Sequence, residues 1–212
     1  MIKIITATVL TATMASFSFA QKADAKSKAL LDGVSAKYKA NKNTYFKFAY
    51  GTGKNGKVSR TQTGIYYTTP SQYKLKIMGT EQIFDGSKVY NISAEDQEVT
   101  IAKANGQEMM FSPTNYLSSY KRDYNAQYMG KRKVGTTSAD WVKLTPVKNN
   151  GIKHVYIYVD GAKRQLLKVE QYATNNDVAV IAVQDYRANQ NLASDMFQFN
   201  KAKYSNYLIT EI

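Results

Sequence analysis

The spacing of hydrophobic residues along the chain changes near residue 43. Within residues 23–39 the apolar side chains recur every three or four positions, which is typical of one helix face, and Asp24 is a candidate N-cap. That stripe consists of Leu30, Leu31, Val34 and Tyr38. Beyond Asn43 the period becomes two, which is typical of strands. The pattern therefore predicts one amphipathic helix followed by β structure.

Turn signals divide the rest of the chain into short strands. Asn-Gly or Asp-Gly dipeptides stand between alternating runs, and such pairs suit the positive φ angles of tight hairpins. They lie at residues 55–56, 85–86, 105–106, 150–151 and 160–161. The signals predict an antiparallel meander of roughly ten strands. A mostly β fold is expected, with no βαβ units.

One insertion interrupts the meander. Residues 106–123 are rich in large apolar side chains, among them Met110, Phe111 and Leu117, and Ser112-Pro113 resembles a helix start. We predict a short helix over residues 114–120. Long insertions often serve as lids or binding loops. The insertion either moves into a cavity as a plug or simply covers an open end of the sheet.

The first twenty residues have the layout of a secretory signal peptide. Lys3 precedes an apolar run over residues 4–14, and Ser18 and Ala20 are the small residues expected before a cleavage site. We expect residues 1–20 to be removed and residues 21–212 to form a single domain. No later apolar run approaches the roughly 20 residues that a membrane-spanning helix needs. The predicted location is the periplasm.

Composition favours binding over catalysis. The chain has no cysteine and one histidine, His154, which excludes thiol catalysis and cysteine-ligated zinc. No nucleotide-binding glycine motif and no G-x-S-x-G elbow is present, and no cofactor or metal is expected. An exported lipid hydrolase that pairs His154 with a serine remains a less favoured alternative.

The positive charge has to be explained by some partner or by solubility. Lysine and arginine number 29 against 16 acidic residues, a formal net charge of +13. Because export separates the protein from cytoplasmic targets, no nucleic acid partner is expected. Lys74 and Lys76 occupy the solvent phase of a strand whose other phase is apolar. We expect a monomer with weak, salt-sensitive attraction to anionic envelope surfaces.

The order of several motifs resembles the periplasmic outer-membrane lipoprotein carriers, the LolA family. Residues 64–75 resemble that family's core pattern G-x-L-x-x-x-P-x-x-[FY]-R-[LFW], and residues 83–90 resemble its apolar hairpin around Asp-Gly. The strand at 98–101, the x-L-x-P strand at 141–146 and the closing F-x-F at 195–199 follow in the same order. The resemblance covers nearly the whole of residues 21–212.

The resemblance implies an unclosed β-barrel, a strongly curved antiparallel sheet covered by an N-terminal helix and a short helical plug or lid. It implies a carrier that binds the acyl chains of lipoproteins and moves them from an inner-membrane transporter to an outer-membrane acceptor, without covalent chemistry. Family members have an arginine just before the proline, and Thr69 stands there in this chain. The aromatic position after the proline is matched by Tyr73.

Strand phase and the resemblance together predict a lipid-binding cavity. Its expected lining is Phe46, Phe48, Ile65, Tyr67, Thr69, Tyr73, Leu75, Ile77, Ile83, Tyr90, Met110, Phe111 and Leu117. Two other binding functions fit the same residues: an envelope sensor that binds lipid and signals to a partner, and a carrier of a non-protein lipid.

Overall fold

A computed structural model describes residues 23–104 and 114–212 of the protein. Two α-helices and twelve β-strands make up these residues, with a 3₁₀ helix at Lys201–Tyr204. The helices are α1 (Ala25–Lys39) and α2 (Asn115–Asp123). The strands are β1 (Thr44–Lys54), β2 (Lys57–Thr68), β3 (Tyr73–Ile77), β4 (Thr80–Phe84), β5 (Lys88–Ser93), β6 (Glu98–Lys103), β7 (Tyr124–Val134), β8 (Thr137–Pro146), β9 (Ile152–Asp160), β10 (Gln165–Ala173), β11 (Asp177–Ala188) and β12 (Leu208–Glu211).

All twelve strands belong to one open sheet. Their order is β12-β6-β5-β4-β3-β2-β1-β11-β10-β9-β8-β7, so hairpins account for most neighbours and the β1–β11 pair joins the two halves. The β12–β6 pair is parallel and the other pairs are antiparallel. Because β12 and β7 are edge strands that do not pair with each other, the sheet does not close. The predicted fold class is confirmed.

The two strands that the sequence did not predict are both edges. β7 contains Gly130 at a register shift and the basic run of residues 131–133, which hide its alternation. β12 is four residues long and mostly exposed. Lysine, bulges and short length are the features by which edge strands avoid pairing with other chains, so the same features that protect these edges obscure them in the sequence.

The hairpin signals mark real turns. Asn55 and Gly56 have φ values of 53° and 77°, the two positive angles that a type I′ turn between β1 and β2 requires. Gly86 and Gly151 also have positive φ between paired strands. The Asn105-Gly106 signal lies outside the described residues.

The two helices cover one face of the sheet, which we call the helix-covered face; the opposite side is the outer face. The side chains of Leu31 and Val34 from α1, and of Leu117 and Tyr120 from α2, are buried in one cluster with residues of most strands. The predicted apolar stripe of α1 is thereby confirmed. The strand residues buried with them include Phe46, Phe48, Tyr66, Val142, Leu144, Ile157 and Ile181.

The phase of β2 differs from the sequence prediction. Phe46 pairs with Tyr66, whereas Tyr67 pairs with Tyr45 and Ile65 pairs with Lys47. Paired residues share a face, so Tyr66 is on the helix-covered face and Ile65 and Tyr67 are on the outer face.

Gly64 explains this choice. It pairs with Phe48, and a Cβ at Gly64 would overlap the ring of Phe48. The phase of β2 that contains Gly64 must therefore face inward, because only glycine leaves room for that buried ring. Both phases of β2 carry aromatic or aliphatic residues, so periodicity alone could not decide between them.

The outer face of β4–β6 has its own cover. Ile83, Ile92 and Val99 form a second buried cluster beneath residues of the C-terminal segment. Those covering residues are Phe199, Tyr204 and Tyr207, and Ile209 of the edge strand β12 packs beside them. The ring of Tyr90 stacks on Phe199 with centroids 4.7 Å apart. Ile83 and Tyr90, which the sequence placed in the lipid cavity, lie in this second cluster instead.

Helix α1 is fixed to the sheet at both ends. At its start, the Asp24 carboxylate accepts hydrogen bonds from the backbone N–H groups of Ser27 (2.9 Å) and Tyr128 (2.5 Å), which caps the helix and ties it to β7. At its end, the Tyr38 hydroxyl accepts a hydrogen bond of 2.8 Å from the backbone N–H of Leu166 in β10. The predicted N-cap at Asp24 is confirmed.

Two glycine substitutions test the packing account. We expect Gly64→Ala to lower the free energy of unfolding by about 1–3 kcal/mol, because the ring of Phe48 must move. Gly33→Ala in α1 is the matched control. Its added Cβ would make only ordinary contacts with the Arg164 side chain, so the better helix propensity of alanine should raise stability by up to about 1 kcal/mol. Urea unfolding measures the free energy of unfolding of both variants. Equal changes in the two would contradict the placement of Gly64 on the helix-covered face of β2.

Candidate functional site: a cavity between the helices and the sheet

A cavity of about 440 Å³ lies between the two helices and the sheet. It opens where the C-terminal end of α1, the N-terminal end of α2 and the end of β2 come together. Its lining consists of Ser35, Tyr38, Lys39, Asn41, Thr44, Phe46, Tyr66, Thr68, Thr69, Pro70, Thr114, Asn115, Leu117 and Ser118. This volume is within the range of pockets that hold small organic ligands.

The cavity has an apolar floor and a polar mouth. Phe46 and Tyr66 are buried in the floor, and the ring of Tyr38 packs edge-on against Phe46 with centroids 5.5 Å apart. Hydroxyl and amide side chains such as Ser35, Asn41 and Ser118 contribute the rest of the lining, with Lys39 as the single cation among the described lining residues. An apolar interior with polar groups at the entrance suits an amphiphile whose tail leaves water while its polar end stays outside.

Thr69 holds the turn at the end of β2. Its hydroxyl accepts hydrogen bonds from the backbone N–H groups of Ser71 (3.3 Å) and Gln72 (3.0 Å). Thr69 therefore shapes the mouth by fixing the turn around Pro70. A hydroxyl cannot form the ion pair that an arginine at this position could form, so helix α2 must be secured by other contacts.

Asp32 joins the two helices. Its carboxylate accepts a hydrogen bond of 2.7 Å from the Tyr120 hydroxyl and forms an ion pair of 2.7 Å with the ammonium of Lys121, both in α2. Lys28, one turn earlier in α1, pairs with the other carboxylate oxygen at 2.6 Å. We call the contacts of Asp32 with Tyr120 and Lys121 the α1–α2 latch.

The latch depends on the charged form of Asp32. Burial acts to raise the pKa of Asp32, but hydrogen bonds from Lys121, Lys28 and Tyr120 outweigh it and hold this pKa well below its usual value. A lowered pKa means that the carboxylate contributes its full stabilisation above its ordinary pKa near 4 and loses it as the pH falls further. The latch is thus closed throughout the neutral range.

Two further contacts hold α2 against the sheet. Leu117 is 5% exposed and packs in the main core. The Tyr116 hydroxyl donates a hydrogen bond to the Gln171 side chain in β10, and burial raises the pKa of Tyr116. Helix α2 is therefore attached through a few side chains, whereas α1 is fixed at both ends.

The thirteen predicted lining residues fall into four groups. Phe46, Thr69 and Leu117 line the cavity. Phe48, Tyr73, Leu75 and Ile77 belong to the same apolar cluster without lining the cavity. Ile65, Tyr67, Ile83 and Tyr90 are on the outer face. Met110 and Phe111 lie outside the described residues.

Sequence reasoning missed much of the polar mouth and part of the floor. The place of Tyr66 in the floor could have been inferred, because Tyr66 shares the strand phase of Gly64. Tyr38 was already on the predicted apolar stripe of α1. The mouth residues Ser35, Asn41, Thr68 and Asn115 carry no periodic signal. They come together only because α1, β2 and α2 end at one place.

His154 has the surroundings of a structural residue. It lies in β9 on the outer face, with its ring 4.7 Å from the rings of both Tyr156 and Tyr172. Burial, with Lys143 and Lys153 nearby, lowers the pKa of His154. Within residues 23–104 and 114–212 no hydrogen bond joins His154 to a serine, so the arrangement that a hydrolase would need is not found there.

The described residues contain no group of acidic, histidine or cysteine side chains arranged to hold a metal ion. None of the helices in this part of the chain is long and apolar enough to cross a bilayer.

An open antiparallel sheet with two helices over an apolar cavity defines a binding protein built for a hydrophobic ligand. The family model described as "Outer membrane lipoprotein carrier protein LolA" matches residues 51–200, and the chain belongs to this family. The resemblance inferred from the motifs is thereby confirmed. No curated protein sequence matches the chain.

Solved structures share the fold at low sequence identity. An uncharacterized conserved protein from Thermus thermophilus is 11% identical with a TM-score of 0.61, and the match covers 88% of this chain and 99% of that one. The lipoprotein LppX from Mycobacterium tuberculosis is 12% identical with a TM-score of 0.53, covering 81% of this chain and 100% of that one. At such identities the likeness shows the fold alone.

The substitution Asp32→Asn tests the latch. Without the charge, both ion pairs are lost, and we expect the free energy that keeps α2 closed to fall by about 1 kcal/mol after allowance for solvent screening. Hydrogen exchange of the α2 amides should then be roughly five-fold faster. In wild type the same acceleration should appear only as the pH drops below about 4.

The control is Asp177→Asn, which removes an exposed carboxylate that pairs with Lys54 near the far hairpin. It should leave α2 exchange unchanged. Unaltered exchange in Asp32→Asn would show that the Asp32 contacts do not hold α2 closed.

Proposed function

We propose that this protein is a periplasmic carrier that holds acyl chains of lipoproteins in the cavity between α1, α2 and the sheet. The observation that carries the proposal is the cavity itself, about 440 Å³ with an aromatic floor and a hydroxyl-rich mouth. Membership of a family described as outer membrane lipoprotein carriers supports the same class of cargo. Residues 1–20 are the export signal in this proposal, and residues 21–212 form the carrier domain.

Burial of the acyl chain supplies the binding energy. Each methylene removed from water contributes about 0.8 kcal/mol, so even part of a long chain gains several kcal/mol. The floor residues Phe46 and Tyr66 are 0% and 1% exposed, so in this proposal an acyl chain reaches their rings only when α2 moves away from the floor. Since no bond has to form or break, binding and release are the whole function.

Helix α2 is the part that moves in this proposal. Its N-terminal residues Thr114, Asn115 and Ser118 form one wall of the mouth, and Leu117 enters the apolar floor. Opening requires release of the α1–α2 latch, of the Tyr116–Gln171 hydrogen bond and of the packed side chains of α2. Helix α1 remains anchored at Asp24 and Tyr38. In this proposal the α1–α2 latch holds α2 closed. Thr69 cannot do so through an ion pair, because its hydroxyl carries no charge.

The direction of transfer follows the family's role. In this proposal the carrier receives its cargo from an inner-membrane lipoprotein transporter and passes it to an outer-membrane acceptor. Because Thr69 replaces the arginine of other members, we regard the carrier as a variant whose cargo is defined by the cavity, either a lipoprotein or a free lipid.

Bulky side chains at the mouth test the proposal. Ser35→Trp and Ser118→Trp each place an indole in the entrance from opposite helices. After purification from the native periplasm, wild-type protein should carry acylated lipoprotein or lipid detectable by mass spectrometry. We expect each variant to retain less than about a tenth of that amount, because a loss of a few methylene contacts costs more than about 1.4 kcal/mol.

The control is Ala29→Trp, which adds the same side chain on the exposed side of α1, away from the cavity. Its cargo should equal that of wild type. No acylated molecule on wild type, or equal cargo on all four proteins, would reject the cavity as the binding site.

A further inference from the structure

The outer face of β8, β9 and β10 carries a group of aromatic side chains that the cavity does not use. We call this group the outer aromatic patch; it consists of Trp141, His154, Tyr156, Tyr158 and Tyr172. Cross-strand pairing places Trp141 beside Tyr158 and His154 beside Tyr172. The planes of Trp141 and Tyr158 are within 2° of parallel. The described helices lie on the opposite face, and the C-terminal cover lies over β4–β6.

Two cations lie on the rings of the patch. The guanidinium of Arg132 is 5.2 Å from the ring centre of Trp141, and the ammonium of Lys168 is 5.6 Å from that of Tyr158. Lys143 pairs with Tyr156 across the β8–β9 ladder and adds a third cation. Contact with an aromatic ring fixes a guanidinium in place while its N–H groups stay available for another partner.

The local charge is not balanced within the described residues. Glu170 is the carboxylate of the patch, and it is engaged by the ammonium of Lys168 at 2.5 Å and by the Tyr158 hydroxyl at 2.9 Å. In residues 23–104 and 114–212, neither Arg132 nor Lys143 has an ion-pair partner. These two cations are therefore available for an external anion.

The indole of Trp141 adds an unsatisfied donor. Its Nε1–H is buried and has no acceptor in the described part of the chain. A buried donor without a partner costs free energy, but an atom with no exposed surface is not part of the surface that an external ligand meets. The two cations without ion-pair partners, Arg132 and Lys143, are the groups that favour a ligand with several anionic oxygens.

We propose that the outer aromatic patch, with Arg132 and Lys143, docks the protein onto the anionic phospholipid headgroups of a membrane surface. Tyrosine and tryptophan combine an apolar ring with a polar tip and settle at the headgroup level of bilayers. Arginine and lysine bind the lipid phosphates. Tyr158 is buried at 2% exposed, whereas Trp141, Tyr156 and Tyr172 are partly exposed, so these three rings are the ones that a bilayer can meet on the open sheet face.

Docking through this patch leaves the cavity free. The patch is on the outer face and the cavity is on the helix-covered face, so a membrane-bound carrier can still open α2 towards a partner. The proposal does not depend on what the cavity holds. Its tests therefore use a local reporter at the patch and a separate measurement of cargo.

Trp141 is the only tryptophan of the chain, which makes its fluorescence a direct probe of the patch. The protein is titrated with vesicles of phosphatidylcholine alone and with vesicles of equal parts phosphatidylcholine and phosphatidylglycerol. We expect binding by sedimentation and a blue shift of the emission with the anionic vesicles only. High salt should reverse both effects, because it screens exposed charges.

The double variant Arg132→Gln, Lys143→Gln measures the contribution of the two cations. Its affinity for the anionic vesicles should fall about 30-fold, the equivalent of about 1 kcal/mol for each cation near the surface. The control is Lys201→Gln, Lys203→Gln, which lowers the net charge equally at two exposed positions of the C-terminal segment. The loss of binding free energy in this control should be less than about a quarter of the loss in Arg132→Gln, Lys143→Gln.

Several outcomes would overturn the proposal. An equal loss in the control would show attraction by net charge alone, and an unshifted Trp141 emission on bound vesicles would place the contact elsewhere. An equal shift with inorganic phosphate would indicate a site for a small anion, and an equal shift with poly-glutamate would indicate an acidic protein partner. Thermal unfolding of the variants and mass spectrometry of their cargo complete the experiment, and unchanged cargo with reduced docking supports two separate sites.

Discussion

The sheet has to keep its apolar helix-covered face away from water, and only two short helices are present in the described chain to do so. Helix α1 lies across the face and is fixed at Asp24 and Tyr38, while α2 closes the remaining gap with Leu117 and Tyr120. Two helices cannot fill the space above a wide sheet to the packing density of a protein core. The space left between them is the cavity, so the site arises from incomplete cover of one face and needs no dedicated pocket.

The same constraint explains why the two helices are held so differently. A carrier must retain its apolar ligand and also release it, so the cover has to include one part that opens at modest cost. The side chains of Asp24 and Tyr38 accept hydrogen bonds from backbone N–H groups of β7 and β10 and so tie α1 to the sheet at both ends. Helix α2 is held by the α1–α2 latch, by the Tyr116–Gln171 hydrogen bond and by the buried side chains of Leu117 and Tyr120. Local opening draws on regions with few buried contacts. On this asymmetry we propose α2 as the moving part and α1 with the sheet as the fixed frame.

Much of the fold could be predicted because local signals agreed with the final packing. The α1 stripe, the Asp24 cap and the Asn55-Gly56 turn each depend on residues close in sequence. The predicted face of Ile65 and Tyr67 was wrong because both phases of β2 carry apolar residues. The contact that decides the phase joins Gly64 to Phe48 in the neighbouring strand, which periodicity within β2 does not reveal.

Ile83 and Tyr90 were misplaced for a similar reason. The C-terminal segment buries the outer face of β4–β6, which alternation in one strand cannot reveal. The mouth of the cavity is set by where three elements end, and that is a property of tertiary structure.

The central claim is that acyl chains enter the cavity between α1 and α2. Crystals of the protein grown with a fatty acid that carries bromine at its terminal carbon test this most directly, because bromine scatters X-rays anomalously and marks the end of the chain. We expect an anomalous peak inside the cavity, beside Phe46 and Tyr66, with α2 displaced from Asp32. A peak confined to the outer face, with the cavity empty and α2 still latched, would contradict it.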